Sequence, residues 1–293
     1  MVIVQLIGGL GNQLFQYAFG RRLALLKKTN LKLDHSSFDK SYKLRKYSLS
    51  HFDIEENFVS PEETKKYKNF FSRSFAKVNQ MNRNKLALYY SRKYVKEQSF
   101  LFDANILKVS SDVYVEGLWQ TEKYFKEIEF ELRKELVFKT APSEPNKRMA
   151  DEIMNTTSVS LHVRRADYVT DVKSNQVHGA CGLDYYKKAI AFIAERFENP
   201  NFYVFSDDMN WTRSNLLLDF PTKYVDYNNA DTDYEDLRLM SLCKHNIIAN
   251  STFSWWGAWL NANSKKIVIA PEKWFNDSSK TSVDLIPEKW HKI

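Results

Sequence analysis

Two cysteines in 293 residues, Cys181 and Cys243, are too few for a disulfide framework, and their spacing suits no metal site. They are read as reduced thiols. No apolar run reaches the length of a bilayer span, and Met1 leads straight into Val-Ile-Val-Gln-Leu-Ile without the basic region or cleavage site of a secretory leader. The expectation is a cytoplasmic protein without a membrane span, or one resting at the inner membrane face. Internal repeats and low-complexity tracts are absent, and no nucleic-acid motif accompanies the basic residues.

What is present describes a globular chain, 43% hydrophobic and 27% charged, long enough for one large or two ordinary domains. The net charge of +7 is unevenly placed. Residues 1–150 hold 27 Lys and Arg against 17 Asp and Glu, while residues 151–293 hold 16 against 19. A basic first half could suit nucleic acid, an anionic membrane surface or an acidic ligand. A solvated basic face is the simpler account, and nucleic acid is not expected as a partner.

Val2–Ile7 has the length and composition of a strand, and three of the eight glycines follow within four residues, Gly8, Gly9 and Gly11. A helix to about Lys28 comes next. Strand, glycine loop and helix outline a phosphate cradle, but the third glycine of a dinucleotide fingerprint is missing and no Walker lysine follows. Asn12 and Gln13 offer neutral amides to sugar hydroxyls at the mouth of the loop, or Asn12 caps the helix. Further strands are expected at 30–34 and 111–120, and an amphipathic helix at 122–138. Residues 36–102 are aromatic and basic with weak helical periodicity. The prolines and charges of 139–147 mark a boundary, so the predicted domains are 1–145 and 146–293, the last helix being free to pack back on the first domain.

The second half alternates strand and helix: strands at 158–163, 201–205, 223–226, 246–249 and 267–270, with helices near 184–197, 211–218, 233–244 and 255–260 between them. That is a doubly wound parallel sheet. Three of its strands end in polar clusters: His162, Arg164, Arg165 and Asp167; Ser206, Asp207 and Asp208; Asn250, Ser251, Thr252 and Phe253. Parallel strands present such ends along one edge, where ligands of open α/β sheets bind. An arginine fork facing a helix N-terminus with Ser251 and Thr252 would hold a diphosphate from two sides. The plainer readings are a surface salt bridge, an N-cap and, for His162, a core histidine. Asp231-Thr232-Asp233 has the Asp-x-Asp spacing of metal-dependent sugar transferases but lies in a polar loop before a helix; a cap is favoured and no metal is predicted. Asp236, near the start of that helix, either supports the dipole or accepts from the N–H donors of a base.

Four stretches carry a resemblance to a known family. Gly8-Gly-Leu-Gly-Asn-Gln-Leu-Phe-Gln-Tyr17, His162-Val-Arg-Arg-Ala-Asp167, Phe205-Ser-Asp-Asp208 and the long run from Met240 to Trp259 resemble the bacterial α-1,2-fucosyltransferases. The arginine element is also similar to the donor motif of α-1,6- and protein O-fucosyltransferases. The resemblance implies an α/β fold of GT-B type, with two Rossmann-like domains facing a cleft, the first on the acceptor side and the second binding GDP-fucose. It implies metal-free, cofactor-free transfer of fucose, with inversion, from GDP-fucose to the 2-hydroxyl of a terminal galactose. The acceptor would be a surface glycan such as O-antigen, free or lipid-linked.

The same resemblance places Arg164 on the β-phosphate, with Ser251, Thr252 and Phe253 completing the diphosphate site. His162 and Asp236 fall among the donor contacts, Asp236 at guanine. Asn12 and Gln13 face fucose or acceptor, and Gly9 joins this set. Arg164 and Asp167 are the catalytic candidates, with Asp167 also suited to bracing the arginines; Arg165 and Asp207 belong to the donor-binding set. No general base is assigned. The rivals are a GT-B transferase of another nucleotide sugar and a non-catalytic basic module for glycans or nucleic acid.

Overall fold

The computed structural model describes residues 1–40, 45–67 and 93–293. Much of the basic, aromatic stretch in the first half lies outside them. The chain divides into two compact units, Met1–Lys139 and Thr140–Ile293.

The first unit is built on a four-stranded sheet of order β2-β1-β4-β3, with every pairing parallel. Its strands are β1 (Val2–Gln5), β2 (Leu31–Asp34), β3 (Tyr94–Lys96) and β4 (Val113–Glu116). Helix α1 (Leu10–Leu26) starts directly from the glycine loop. Gly8 adopts φ +79°, a left-handed conformation that glycine enters without penalty. A Cβ at Gly20 would lie 2.9 Å from Leu31 Cδ1 and 3.0 Å from Val4 Cγ1, so the helix rests on the sheet at the distance only a glycine permits. Phe19 of α1 stacks on Trp119 at 4.1 Å. The short α2 (Ser36–Lys40) follows β2.

Two expectations for this unit change. The strand foreseen at 111–120 is cut to Val113–Glu116, because the chain turns at Gly117 and Trp119 takes φ +56°. The helix foreseen at 122–138 resolves into two 3₁₀ turns, Glu122–Tyr124 and Lys126–Ile128, and then α3 (Glu129–Glu135). Phe125 is the interruption: at φ −137° it leaves helical geometry and buries its ring against Phe15.

The second unit holds a six-stranded parallel sheet of order β10-β9-β8-β5-β6-β7. In chain order it contains α4 (Glu144–Met154), β5 (Ser158–Val163), α5 (Ala166–Thr170), α6 (Val172–Val177), α7 (Leu183–Ala194) and β6 (Asn201–Ser206). There follow α8 (Met209–Asn215), β7 (Thr222–Val225), α9 (Asp233–Leu242), β8 (His245–Ile247), α10 (Thr252–Leu260), β9 (Val268–Ala270) and β10 (His291–Lys292). All six residues of β5 are buried, as a central strand covered on both faces requires. Helix α4 replaces the expected break, since Pro145 lies in its first turn, where a missing N–H costs nothing. No helix closes the chain: residues 271–290 carry neither helix nor strand, and His291–Lys292 pair with β9.

Candidate active site

Adjacency in the second sheet decides what can meet. β8, β5 and β6 are neighbours and parallel, so the chain following each leaves from the same edge. Asp207, one residue past β6, is the junction there. Its Oδ1 accepts the backbone N–H of Arg165 at 2.8 Å and of Ala166 at 3.3 Å, and its Oδ2 pairs with Arg164 Nη1 at 2.7 Å. The other end of the Arg164 fork, Nη2, meets Asp167 Oδ1 at 2.5 Å. Arg164 is therefore held between one carboxylate fixed by backbone and another that is 45% exposed.

Arg165 takes a different course. Its guanidinium lies 3.6 Å from the ring centroid of Trp211, and its Nε donates to Asp208 at 3.4 Å. Asp208 also caps α8 through the N–H of Trp211. The two consecutive arginines thus divide: Arg164 stands at the edge, and Arg165 is packed onto α8.

The β8 end joins through aromatic rings. The Arg164 guanidinium lies 5.2 Å from the ring of Tyr168, whose hydroxyl donates to Asn250 O at 3.4 Å and whose other neighbour is His178, stacked at 4.8 Å. Asn250 is structural. Its amide group reaches the carbonyls of His178, Gly179 and Trp274, tying two loops to the end of β8. The ring of Phe253 lies 5.8 Å from that of His162. Ser251 occupies the N-cap of α10, yet its hydroxyl makes no capping hydrogen bond, so the ordinary cap is not what it forms.

His162 is buried, and its Nδ1 has no hydrogen-bond partner among the described residues. Burial first, and Arg164 second, push the imidazole down to about 3, which keeps it neutral. A neutral ring with an unsatisfied nitrogen can offer or accept one hydrogen bond at the site. Asp236 sits in the first turn of α9 with its Oδ1 fixed by Asn228 Nδ2 at 2.7 Å; Asn228 is in turn bonded to the buried Asn146. Desolvation raises its carboxyl to about 7. The Asp231-Thr232-Asp233 stretch places Thr232 at the N-cap of α9 without a side-chain cap. Among the described residues, no three His, Cys, Asp or Glu side chains gather as metal ligands.

In the first unit, the glycine loop positions its amides differently from the expectation. Gly9, not Asn12, is the N-cap of α1, and its carbonyl takes the N–H of both Asn12 and Gln13. Asn12 Oδ1 accepts from Gln120 Nε2 at 3.0 Å. Gln13 is corrected as a ligand contact: it is fully buried, with Nε2 on the carbonyls of Gly8 and Lys46 and Oε1 on the N–H of Ser48. It staples the loop to the segment beginning at Arg45. Nothing in the sequence singles out Tyr168, Trp211 or Asn228. Their only signal was position, an aromatic or amide close in the chain to a strand end.

Solved structures of similar fold include Arabidopsis thaliana FUT1 in complex with GDP, with a TM-score of 0.53 at 12% identity over 91% of this chain and 69% of that one. Fucosyltransferase NodZ from Bradyrhizobium gives 0.51 at 13%, over 87% and 91%. With its paired parallel α/β units and charged strand edge, the molecule is a glycosyltransferase of the GT-B type. More narrowly, the chain belongs to glycosyl transferase family 11, whose model matches residues 1–293. It is 38% identical to an Escherichia coli alpha-1,2-colitosyltransferase over 100% of this chain and 99% of the relative. Identity to the O-antigen biosynthesis glycosyltransferase WbnK of Escherichia coli is 35%, over 95% and 97%. Human galactoside alpha-(1,2)-fucosyltransferase 1 is 29% identical over 138 residues, 45% of this chain.

Proposed function

We propose that the protein is an inverting α-1,2-fucosyltransferase that moves L-fucose from GDP-β-L-fucose to the 2-hydroxyl of a terminal galactose in a surface glycan. The observation that carries this reading is Arg164, a permanent cation held at the carboxyl edge of β5 by Asp207 on one side and the more exposed Asp167 on the other. Cleavage of the sugar–phosphate bond leaves an oxocarbenium-like sugar and new negative charge on the diphosphate. A planar guanidinium meets that charge through two parallel hydrogen bonds. The phosphate displaces Asp167, whose hold is exposed, and leaves Asp207 in place, because Asp207 is also bonded to backbone. Asp167 is then a partner that keeps the fork aligned until donor arrives.

The remaining donor contacts follow from chemistry. The start of α10, where Ser251 makes no side-chain cap, favours the diphosphate at Ser251 and Thr252. Asp236 accepts the N1–H and N2–H donors of guanine, with Asn228 holding its second oxygen. His162 Nδ1 gains its missing partner from the donor. No metal or cofactor enters this reaction, since Arg164 supplies the positive charge at the leaving group.

The experiment is a transfer assay on small galactosides with GDP-fucose, reading the linkage by NMR. Absence of an α-1,2 product would overturn the reading. The similarity to a colitosyltransferase favours a second donor: colitose lacks only the 3-hydroxyl of fucose, and the nucleotide contacts above are indifferent to that group. GDP-colitose run beside GDP-fucose, GDP-mannose and UDP-galactose separates the donors. Salt-sensitive polyanion binding with no sugar transfer would instead favour a basic binding module.

A further inference from the structure

Arg164 and Arg165 each meet an aromatic ring, but on different terms. The Arg165 guanidinium lies 3.6 Å from the centroid of Trp211, in van der Waals contact with the ring. Arg164 stands 5.2 Å from the centroid of Tyr168, within reach of a cation–π contact yet far enough to leave its N–H groups to other partners. Those partners, Asp207 on Nη1 at 2.7 Å and Asp167 on Nη2 at 2.5 Å, sit at the rim of the guanidinium. Rim contacts locate the two nitrogens but leave the plane free to tilt about the line that joins them. A ring beside the plane supplies the missing restraint.

Tyr168 is itself held for that purpose. The short turn of α5 brings it back beside the strand end it has just left. Its carbonyl accepts Asn175 Nδ2 at 2.6 Å, and its ring stacks on His178 at 4.8 Å with 7° between the planes. His178 lies 5.8 Å from Phe275, and the carbonyls of His178, Gly179 and Trp274 all converge on the amide of Asn250. Gly179 turns this corner at φ +62°, where a Cβ would collide with Asn276. Burial lowers the His178 imidazole, so Tyr168 is backed by a neutral ring and faces a single cation. The Tyr168 hydroxyl, by contrast, makes one long hydrogen bond, 3.4 Å to Asn250 O. What these contacts fix is the face of the ring rather than its phenol, and every one of them lies within the second unit.

We propose that Tyr168 is a positioning residue whose ring sets the tilt of the Arg164 guanidinium toward the leaving diphosphate. This rests on the transfer reading above. When the phosphate displaces Asp167, Asp207 alone remains at the rim, and the Tyr168 ring keeps the freed N–H groups aimed as negative charge grows on the phosphate oxygens. The restraint counts most in the transition state, so its loss falls on kcat more than on nucleotide binding.

The test measures kcat and KM with a galactoside and GDP-fucose or GDP-colitose, whichever is turned over, and Kd for GDP by calorimetry. Wild type is compared with Tyr168→Leu, with Tyr168→Phe, and with Tyr168 replaced by phenylalanines bearing one, two or three ring fluorines. Fluorine drains electron density from the ring at nearly constant shape. Tyr168→Leu should lower kcat about 10-fold while Kd for GDP stays within about 3-fold, and Tyr168→Phe should recover most of that loss. Successive fluorines should lower kcat stepwise toward the leucine level, a trend that holds the fold constant even where Tyr168→Leu does not fold. In an Arg164→Ala background, Tyr168→Leu should cost less than about 2-fold more, because the group it orients is gone. A flat fluorine series, or an undiminished Tyr168→Leu loss without Arg164, makes the ring mere packing and overturns the proposal alone. A wild-type protein that transfers no sugar from any nucleotide donor overturns the transfer reading, and the proposal with it.

Discussion

Asp207 holds Arg164 and the chain beyond it at once: one oxygen pairs with the guanidinium at 2.7 Å while the other accepts the N–H of Arg165 and of Ala166. Side chain and backbone are thereby fixed by a single carboxylate 43 positions away in sequence from Arg164.

Arg164→Lys and Arg164→Ala should each lower kcat by about 10²–10³-fold, because a lysine lacks the fork that meets a phosphate. The far-ultraviolet circular dichroism spectrum should not change. Retention of a tenth of wild-type kcat would contradict the assignment.

Asp207→Ala should cost on the order of 10²-fold in kcat through misplacement of Arg164. Asp167→Asn should cost clearly less, because its carboxylate yields to the phosphate. Steady-state kinetics on the two variants would refute this ordering if Asp167→Asn were the more damaging.

Burial pushes the Asp236 carboxyl up to about 7, and in the proposed guanine contact only its ionised form can accept both donors. Affinity for GDP-fucose, whose diphosphate does not titrate near neutrality, should rise roughly tenfold between pH 6 and pH 8 and then level off. Asp236→Asn should bind weakly and without that rise. A carboxyl raised in the folded state stabilises the protein at low pH and loses that contribution as pH climbs from about 4 to about 7. The same variant should therefore melt higher than wild type at pH 8. Calorimetric titration and thermal melts read the two effects separately.

Gly257→Ala should destabilise the second unit by about 1–3 kcal/mol in urea unfolding. The added Cβ would lie 2.8 Å from Met240 Cβ, forcing α10 away from α9. Unchanged stability would mean that the two helices separate at no cost.

Transfer should persist in excess EDTA, since the leaving-group charge is met by Arg164. Loss of activity that a divalent cation restores would show that the diphosphate is carried with a metal.

The second sheet was legible because its strands are short apolar runs ending in charge, with helices of ordinary length between them. β5 was placed to the residue, and the convergence of its end with those of β6 and β8 followed from parallel adjacency. Helix α4 is not legible because Pro145 reads as a breaker until its place in the first turn is known. The first unit was harder. Gln13 looks like a ligand amide unless the path of Lys46 and Ser48 over it is known, and that path is set by tertiary packing. Arg164 and Arg165 were adjacent equals in sequence; Trp211, on another element, separates them.

That separation means the doubled arginine is not duplication. Neighbouring residues at the end of a strand leave it in different directions, so moving β5 by a single position would bring the stacked guanidinium to the edge and bury the other. A one-residue insertion or deletion within β5 should therefore cost activity as heavily as loss of Arg164 itself.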